Sequence, residues 1–327
     1  MRIIGTGSYL PAKIIDSSVF DEKFGLESGW TEEKSGVKTR HYITNETQAS
    51  MAKEAVLAAI KDAKIKLTDI DCIVSACGVM QQLIPCTASL IQRELGLENS
   101  GIPCFDINST CLSFVTAFDI VSSLIDTNKY KTVCIVSSDA ASTGLDREDV
   151  KSSILFGDGA TAIIVRQTTK EETSRVLKYN QETYSIGADD ACIKGGSSYL
   201  HSTKYTRENE KDFLFHMNGT KLYEIASKKL KPLFERTLGD AGLTINDIKL
   251  VIPHQASLMS MKLVQRKLRI PNEKYLYNIK NTGNMIAASI HNCIDHVIKN
   301  NMILRGDKIV LLGTSAGLSI GVLIFEY

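Results

Sequence analysis

Ile102-Pro103-Cys104-Phe105-Asp106-Ile107-Asn108-Ser109-Thr110-Cys111 is an apolar run that turns through three polar residues into a cysteine. Leu112 to Ile125 follows, with Phe114, Phe118, Val121 and Ile125 on one helical face. Strand, tight turn, cysteine and helix form a nucleophile-elbow arrangement. The sulfur then sits at a helix N-terminus, where free N–H groups and the helix dipole favour a thiolate. Such positions lower a cysteine pKa from about 8.5 to roughly 3.5–7.5, and this is the expectation for Cys111. The competing reading, for one thiol among eight, is a small buried hydrophobe.

The same stretch decides the fold, because the chain repeats it. Phe105-Asp106-Ile107-Asn108-Ser109-Thr110-Cys111 is answered by Tyr277-Asn278-Ile279-Lys280-Asn281-Thr282-Gly283. Leu67-Thr68-Asp69-Ile70-Asp71-Cys72-Ile73-Val74 recurs, with two residues added, as Leu243-Thr244-Ile245-Asn246-Asp247-Ile248-Lys249-Leu250-Val251-Ile252. Leu90 to Leu95 recurs at Leu263 to Leu268, and Val133 to Ser138 at Ile309 to Thr314. Four matches in one order at a nearly constant offset indicate two copies of one α/β unit. The expected halves are residues 1–166 and 167–327. The charged stretch Gln167 to Lys178 is the joint between them or an exposed hairpin beside it.

Two segments of the second copy complement Cys111. Val251-Ile252-Pro253-His254-Gln255-Ala256 reads as a strand that delivers a histidine and then enters a helix. Asn278-Ile279-Lys280-Asn281-Thr282-Gly283-Asn284 reads as a strand running into a turn just before Ala287-Ala288-Ser289. Alone, His254 reads as a structural histidine and Asn284 as a turn residue. Together with Cys111 they are a thiol, an imidazole and an amide at strand ends, where open α/β sheets place their chemistry. Packing of the copies about a pseudo-twofold axis would make those ends converge.

At 327 residues the chain suits one duplicated unit better than several independent domains. A net charge of +1 does not point to nucleic acid. Met1-Arg2 leads directly into a strand without an apolar signal segment. Ile309 to Phe325, uncharged but broken by Gly313, Gly317 and Gly321, reads as strand–turn–strand, whereas a membrane span needs about 20 mostly apolar residues. The cysteines form no C-x-x-C pair, and Cys72 and Cys134 lie in apolar runs, so reduced thiols in the cytoplasm are expected rather than disulfides or zinc.

Helical faces are expected at Ala52, Val56, Ala59, Ile60 and Ala63, and at Leu222, Ile225, Ala226, Leu230 and Phe234. Ile154–Val165 reads as two strands around a Gly157-Asp158-Gly159 hairpin turn. Between Gly187 and Asp212 the pattern dissolves into an insertion, either over the site or simply solvated.

These motifs resemble those of condensing enzymes of the β-ketoacyl-[acyl-carrier-protein] synthase III type, in the thiolase superfamily. The resemblance runs from Ile3-Ile4-Gly5-Thr6-Gly7-Ser8-Tyr9-Leu10-Pro11 through Ile154-Leu155-Phe156-Gly157-Asp158-Gly159-Ala160 to Gly313-Thr314-Ser315-Ala316-Gly317-Leu318-Ser319-Ile320-Gly321. Its most specific marks are the ordered Pro-His-Gln-Ala at His254 and Gly-Asn…Ala-Ala-Ser at Asn284. It implies an α/β thiolase-like fold, with two duplicated halves packed as five layers (αβαβα) about a pseudo-twofold axis. It also implies that Cys111 carries an acyl group while His254 and Asn284 bind the extender's thioester carbonyl. Backbone N–H groups of Cys111 and Ala316 would form the oxyanion hole. The implied reaction is a decarboxylating Claisen condensation with a malonyl thioester, in fatty acid or specialised acyl-chain biosynthesis. No metal or redox cofactor is implied. Substrates would arrive on coenzyme A or on the phosphopantetheine of acyl carrier protein.

By the same resemblance, Trp30 stacks on an adenine and Lys34 stands where an arginine is usual; with coenzyme A as donor, Lys34 or Lys151 would be the replacement phosphate contacts. Arg266 and Lys267 form a basic pair near the tunnel mouth or an ordinary solvated helix face. A homodimer is implied, with Ile84, before Pro85, reaching the neighbour's acyl pocket. The chain departs from the family pattern at Leu112 and Ser113, at Met285 and Ile286, at Ser319-Ile320-Gly321, and at Ser257 and Met259 after the histidine. Met259 cannot hold a phosphate, so acyl carrier protein is the expected primer donor. The departures leave the primer open. They also keep two alternatives: acyl transfer to oxygen or nitrogen, and a non-catalytic partner protein of the same fold. The second is disfavoured because all three catalytic residue types are present.

Overall fold

The computed structural model describes residues 1–327. Up to Arg166 the elements are β1 (Arg2–Tyr9), β2 (Lys13–Asp16), α1 (Ser18–Phe24), α2 (Trp30–Ser35), β3 (Thr39–Tyr42), α3 (Gln48–Ala63) and β4 (Cys72–Ser75). They continue as α4 (Thr87–Glu94), β5 (Cys104–Asp106), α5 (Ser113–Asp126), β6 (Thr132–Ala140), α6 (Val150–Ser153) and β7 (Asp158–Arg166). Then come β8 (Arg175–Thr183), β9 (Ala191–Cys192), β10 (His216–Met217), α7 (Gly219–Asp240) and β11 (Leu250–Pro253). The chain ends with α8 (Leu258–Leu268), α9 (Ala288–Lys299), β12 (Lys308–Ser315) and β13 (Ser319–Glu326).

The duplication read from the sequence is a duplication of sheets. One sheet has the order β1-β7-β6-β4-β5, and the other, read from its far edge, β8-β13-β12-β11. Directions correspond as well. β4 runs parallel to β6, as β11 does to β12, while β7 and β13 are antiparallel to both their neighbours. The quoted repeats fall on equivalent elements: β4 and β11, α4 and α8, β6 and β12.

Burial on both faces explains why these strands read as continuous apolar runs. On the outer face of the first sheet, Ile73, Val136, Ala162 and Ile164 pack against Ala52, Val56 and Ala59 of α3 and Leu90 and Ile91 of α4. The second sheet turns Val251, Val310, Leu312 and Ile324 outward onto Leu230, Leu233 and Phe234 of α7 and Met261 of α8. The inner faces of both sheets enclose α5 and α9. Val74, Ile135, Ile252, Leu311 and Leu323 surround Phe114, Phe118, Val121, Ile290 and Ile294. Each such side chain contributes about 1.5–3 kcal/mol by leaving water. The result is the expected order α-β-α-β-α, with the N-termini of the two central helices close together.

Two local expectations fail and one boundary moves. Ile154–Val165 is not a hairpin: β7 begins at Asp158 and runs unbroken, and Phe156 makes only an isolated bridge to Asn284. Asp158 is buried, and its carboxylate accepts from the Ile43 and Ser142 N–H groups, each at 2.8 Å, and from Ser142 Oγ at 2.6 Å. Its flanking glycines serve close approach rather than a turn, since a Cβ on Gly157 would lie 2.1 Å from Thr282 O. No strand precedes Asn284 either. Beyond one bridge between Val251 and Tyr275, the Gln255 side chain replaces the ladder by accepting the Asn278 N–H at 2.8 Å. Finally, Arg175 to Lys178 of the charged joint already belong to β8, leaving residues 167–174 as the connection.

Between Tyr184 and Asn218 the chain forms short helical turns and the β9–β10 pair, closed where the Lys194 and Gly195 N–H groups share Asp212 O at 3.0 and 2.7 Å. Its Ala191, Ile193 and Phe215 reach the central cavity, so the insertion lies over the site, while its tip around Tyr199 is solvated. All eight cysteines are free thiols, with Cys72 and Cys134 buried in β4 and β6. No helix is long and apolar enough to cross a membrane.

Candidate active site

A cavity of about 910 Å³ opens where the two sheets meet, and Cys111, His254, Asn284 and Ala316 all line it. Cys111 sits in a short helical turn, Thr110–Leu112, that feeds α5. Thr110 has φ +47°, a conformation uncommon for any residue but glycine and an outlier for a β-branched one. Side chains hold it there. Asn108 Oδ1 accepts the Thr110 N–H at 3.0 Å, and Ser113 Oγ accepts the Ser109 N–H at 2.8 Å while donating to Thr110 O at 2.7 Å. Ser113 therefore builds the elbow. The Thr110 hydroxyl shares its one proton between Ser109 O at 2.9 Å and Ala316 O at 3.3 Å, the second contact reaching the turn between β12 and β13.

The backbone N–H groups of Ala316 and Cys111 both lie against the Cys111 sulfur, where an oxyanion formed on an acyl group would sit. They do not make the resting thiol acidic. Burial, and then the charge of Asp139, push Cys111 up to about 12 against the pull of those two donors. The lowered pKa expected from the helix terminus is therefore corrected: desolvation outweighs the short turn, and the resting sulfur is a neutral thiol.

His254 leaves the end of β11, its N–H donating to Leu312 O at 2.7 Å. Burial lowers its pKa to about 4, so the ring is neutral near pH 7. Nδ1 is enclosed without a partner. A buried donor without an acceptor is rarer than an unsatisfied acceptor, so the single proton belongs on Nε2 and makes that nitrogen a donor. Asn284 is anchored at both backbone ends: its N–H donates to Leu155 O at 2.9 Å and its O accepts from Gly157 N–H at 3.1 Å. Its Oδ1 accepts the Ile286 N–H at 2.9 Å, which leaves the Nδ2 amide as the cavity donor. The site thus offers one nucleophile, two side-chain donors and two backbone donors.

The departures from the family pattern are accommodated by glycines. Leu112 fills the space above Gly313 and Gly321, where a Cβ would stand 3.0 and 3.2 Å from its methyl groups. Met285 rests on Gly159 and Ile286 on Gly78, with Cβ distances of 2.5 and 2.3 Å. Sequence reading also passed over Asp139, a fully buried carboxylate at the end of β6. Its only signal was an acid closing the Val133–Ser138 strand.

The residues assigned to carrier binding separate. Lys151, Ser257, Met259 and Lys267 line the cavity; Trp30, Lys34, Arg266 and Ile84 do not. Ser257 Oγ caps α8 by accepting the Ser260 N–H at 3.2 Å. Trp30 packs onto the Phe20, Tyr42 and Ile154 cluster, and Lys34 pairs with Glu33 at 3.2 Å. Arg266 and Lys267 line different clefts. Neighbours on a helix point about 100° apart, and Arg266 faces a separate cleft with Lys262 and Arg269. Ile84 is 84% exposed on the loop before α4. The chain gathers no group of three or more His, Cys, Asp or Glu side chains arranged to hold a metal ion.

The chain matches two family models, "3-Oxoacyl-[acyl-carrier-protein (ACP)] synthase III" over residues 105–185 and "3-Oxoacyl-[acyl-carrier-protein (ACP)] synthase III C terminal" over residues 238–327. It is 31% identical to β-ketoacyl-[acyl-carrier-protein] synthase III of Clostridium acetobutylicum, over 100% of this chain and 98% of that one. The crystal structure of 3-oxoacyl-[acyl-carrier-protein] synthase III from Aquifex aeolicus superposes with a TM-score of 0.89 at 30% identity, covering 100% and 99% of the two chains. The corresponding Pseudomonas aeruginosa structure gives 0.88 at 27% identity, covering 99% and 97%.

Proposed function

The chain belongs to the β-ketoacyl-[acyl-carrier-protein] synthase III family, and on that premise we propose a decarboxylating Claisen condensation in acyl-chain biosynthesis, with Cys111, His254 and Asn284 as its catalytic residues. The Cys111 sulfur attacks an acyl thioester, forming the acyl–sulfur bond, and its proton leaves with the departing carrier thiol. A malonyl thioester then binds with its carbonyl oxygen between His254 Nε2–H and Asn284 Nδ2–H. Loss of carbon dioxide leaves an enolate whose charge these two donors stabilise. Its carbon attacks the acyl carbonyl, whose oxygen is held by the Cys111 and Ala316 N–H groups. A carbon–carbon bond forms, the sulfur leaves, and the thiolate takes up one proton to regenerate the thiol.

The observation that carries this reading is the anchoring of Asn284. With Oδ1 occupied by the Ile286 N–H, the side chain is fixed as a donor into the cavity that holds Cys111 and His254. Similarity to named synthases favours condensation over ester or amide transfer. Acyl carrier protein is the proposed donor of both acyl groups. Met259 is 57% exposed at the cavity and offers an incoming phosphate no charge, whereas Lys151 and Lys267 remain for an acidic protein surface. The working form we propose is a cytoplasmic homodimer in which Ile84 reaches the neighbouring acyl pocket.

The test is incubation with malonyl-carrier protein and matched acyl donors, with mass spectrometry of Cys111 and measurement of carbon dioxide. An acyl adduct on Cys111, carbon dioxide release and a β-ketoacyl product are expected. An adduct that passes to an alcohol or amine without carbon dioxide release would overturn the proposal.

A further inference from the structure

Asp139 is a buried charge that the condensation does not use. It lies one residue from the end of β6, beside Gly159 of β7, and is wholly enclosed. Its hydrogen-bond partners are four backbone N–H groups. Oδ1 accepts from Gly78 at 2.8 Å and Val79 at 3.1 Å, and Oδ2 from Ala287 at 3.1 Å and Ala288 at 3.3 Å. The first pair follows β4, in the first copy of the repeat. The second pair opens α9, in the other copy.

Each pair adjoins a strained catalytic loop. Gly78 is wedged between the two: a Cβ there would stand 3.3 Å from Thr110 O and 2.3 Å from Ile286 Cγ2, and Asn108 Nδ2 donates to Gly78 O at 3.3 Å. Ala287 directly follows Asn284-Met285-Ile286. Thr110, before the nucleophile, has φ +47°, and Ile286, whose N–H fixes Asn284, has φ +51°. Both are β-branched, the side chains least suited to that region. Such conformations persist only where the surroundings over-determine them. A carboxylate accepting two N–H groups from each side supplies that determination.

We infer that Asp139 is a positioning residue that locks the Cys111 elbow of one copy and the Asn284 loop of the other into a single catalytic geometry. The inference rests on the reading of Cys111 and Asn284 as catalytic partners. It explains why an acid is tolerated at this depth, even though burial raises its pKa to about 7 and its charge makes the Cys111 thiol harder to ionise. Its charge reaches one other thiol, Cys77, which burial and Asp139 together also make harder to ionise. The remaining titratable side chains on β6, β7 and α9, which pack around it, are Cys134, Asp158, Arg166, His291, Cys293, Asp295, His296 and Lys299.

Asp139→Asn keeps the shape but turns one acceptor oxygen into an amide that meets two N–H donors, so one loop loses its anchor. The expected result is a folded protein whose Cys111 acylation or malonyl decarboxylation falls at least tenfold in kcat with KM little changed. Alkylation of Cys111 by iodoacetamide, which needs no thioester, should meanwhile shift its pH profile toward lower pH, because the buried charge is gone. Parent-like acylation and decarboxylation in the folded variant would overturn the inference, as would an unshifted alkylation profile. Adding Ile286→Gly keeps it testable if the single variant folds poorly. Glycine takes φ +51° without strain, so the double variant should regain folding and part of the decarboxylation. Where decarboxylation is the step that falls in Asp139→Asn, no gain from Ile286→Gly would refute the locking role. A parent protein that never acylates Cys111 would instead refute the proposed function.

Discussion

Asn284→Ala removes at once the donor of the proposed enolate site and an anchor of the loop that builds it. The Asn284 side chain offers a donor and an acceptor that alanine lacks, the acceptor also taking a long 3.5 Å bond from Ser289 Oγ. Its Nδ2 is the proposed donor to the enolate oxygen, and its Oδ1 takes the Ile286 N–H at 2.9 Å. Losing one oxyanion donor reduces the rate by about 10²–10³, equivalent to about 2.7–4 kcal/mol. Leaving the Ile286 N–H without an acceptor removes about 1–3 kcal/mol of stability, toward the lower figure because Ile286 is only half-buried. Asn284→Asp separates the two effects. It keeps an oxygen for Ile286 but turns a second oxygen toward the developing enolate charge. Decarboxylation should therefore fall in the order parent, Ala, Asp, whereas melting temperature should fall in the order parent, Asp, Ala. The assay is carbon dioxide release from malonyl-carrier protein, with acylation of Cys111 followed in parallel by mass spectrometry and expected within tenfold of the parent. Alanine decarboxylating within a factor of a few of the parent, or aspartate outperforming alanine, would refute the donor role.

Alkylation of Cys111 by iodoacetamide should rise about tenfold per pH unit between pH 7 and 10 without a plateau, because burial holds the thiol up near 12; a plateau below pH 8 would reveal a resting thiolate. His254 should stay neutral down to about pH 4 in an NMR titration. Its folded pKa lies below the unfolded value of about 6.5, so unfolding takes up a proton between those limits. The stability contributed by the neutral ring is complete above about pH 6.5 and is lost, by up to about 1.4 kcal/mol per pH unit, as pH falls toward 4; His254→Ala should flatten acid denaturation in that window. Gly313→Ala would put a Cβ 3.0 Å from Leu112 Cδ2 and 3.1 Å from His254 Cβ. It should lose about 1–3 kcal/mol by overpacking and slow decarboxylation, and Leu112→Ala in the same chain should restore part of the melting temperature.

The repeat was legible because a duplicated unit keeps its apolar spacing even where residue identities drift. Val133–Ser138 and Ile309–Thr314 share little beyond their pattern, yet both became the strand flanked by one parallel and one antiparallel neighbour. Cys111, His254 and Asn284 were legible for a related reason: each follows an apolar run or turn at a position where local chemistry is unusual. Gly157-Asp158-Gly159 misled because turn glycines and close-approach glycines look alike in sequence, and only the neighbouring chain at Thr282 tells them apart. The strand expected before Asn284 failed because the Gln255 side chain took the backbone group that a ladder would have used.

By itself the sequence determined two α/β copies and the thiol, imidazole and amide proposed as catalytic, since periodicity and turn chemistry act over a few neighbouring residues, whereas the strand order came only from the packed sheets. It did not determine the state of the nucleophile. A helix terminus near Cys111 suggests an acidic thiol, but the pKa depends on how much protein lies between the sulfur and water and on Asp139, a residue 28 positions away in the chain. Nor did it reveal what holds Thr110 and Ile286 in the left-handed region, or that Lys267 faces the cavity while Arg266 turns away. Desolvation, close approach and shared hydrogen-bond donors arise between segments brought together from both halves, so these features existed only once the halves had packed.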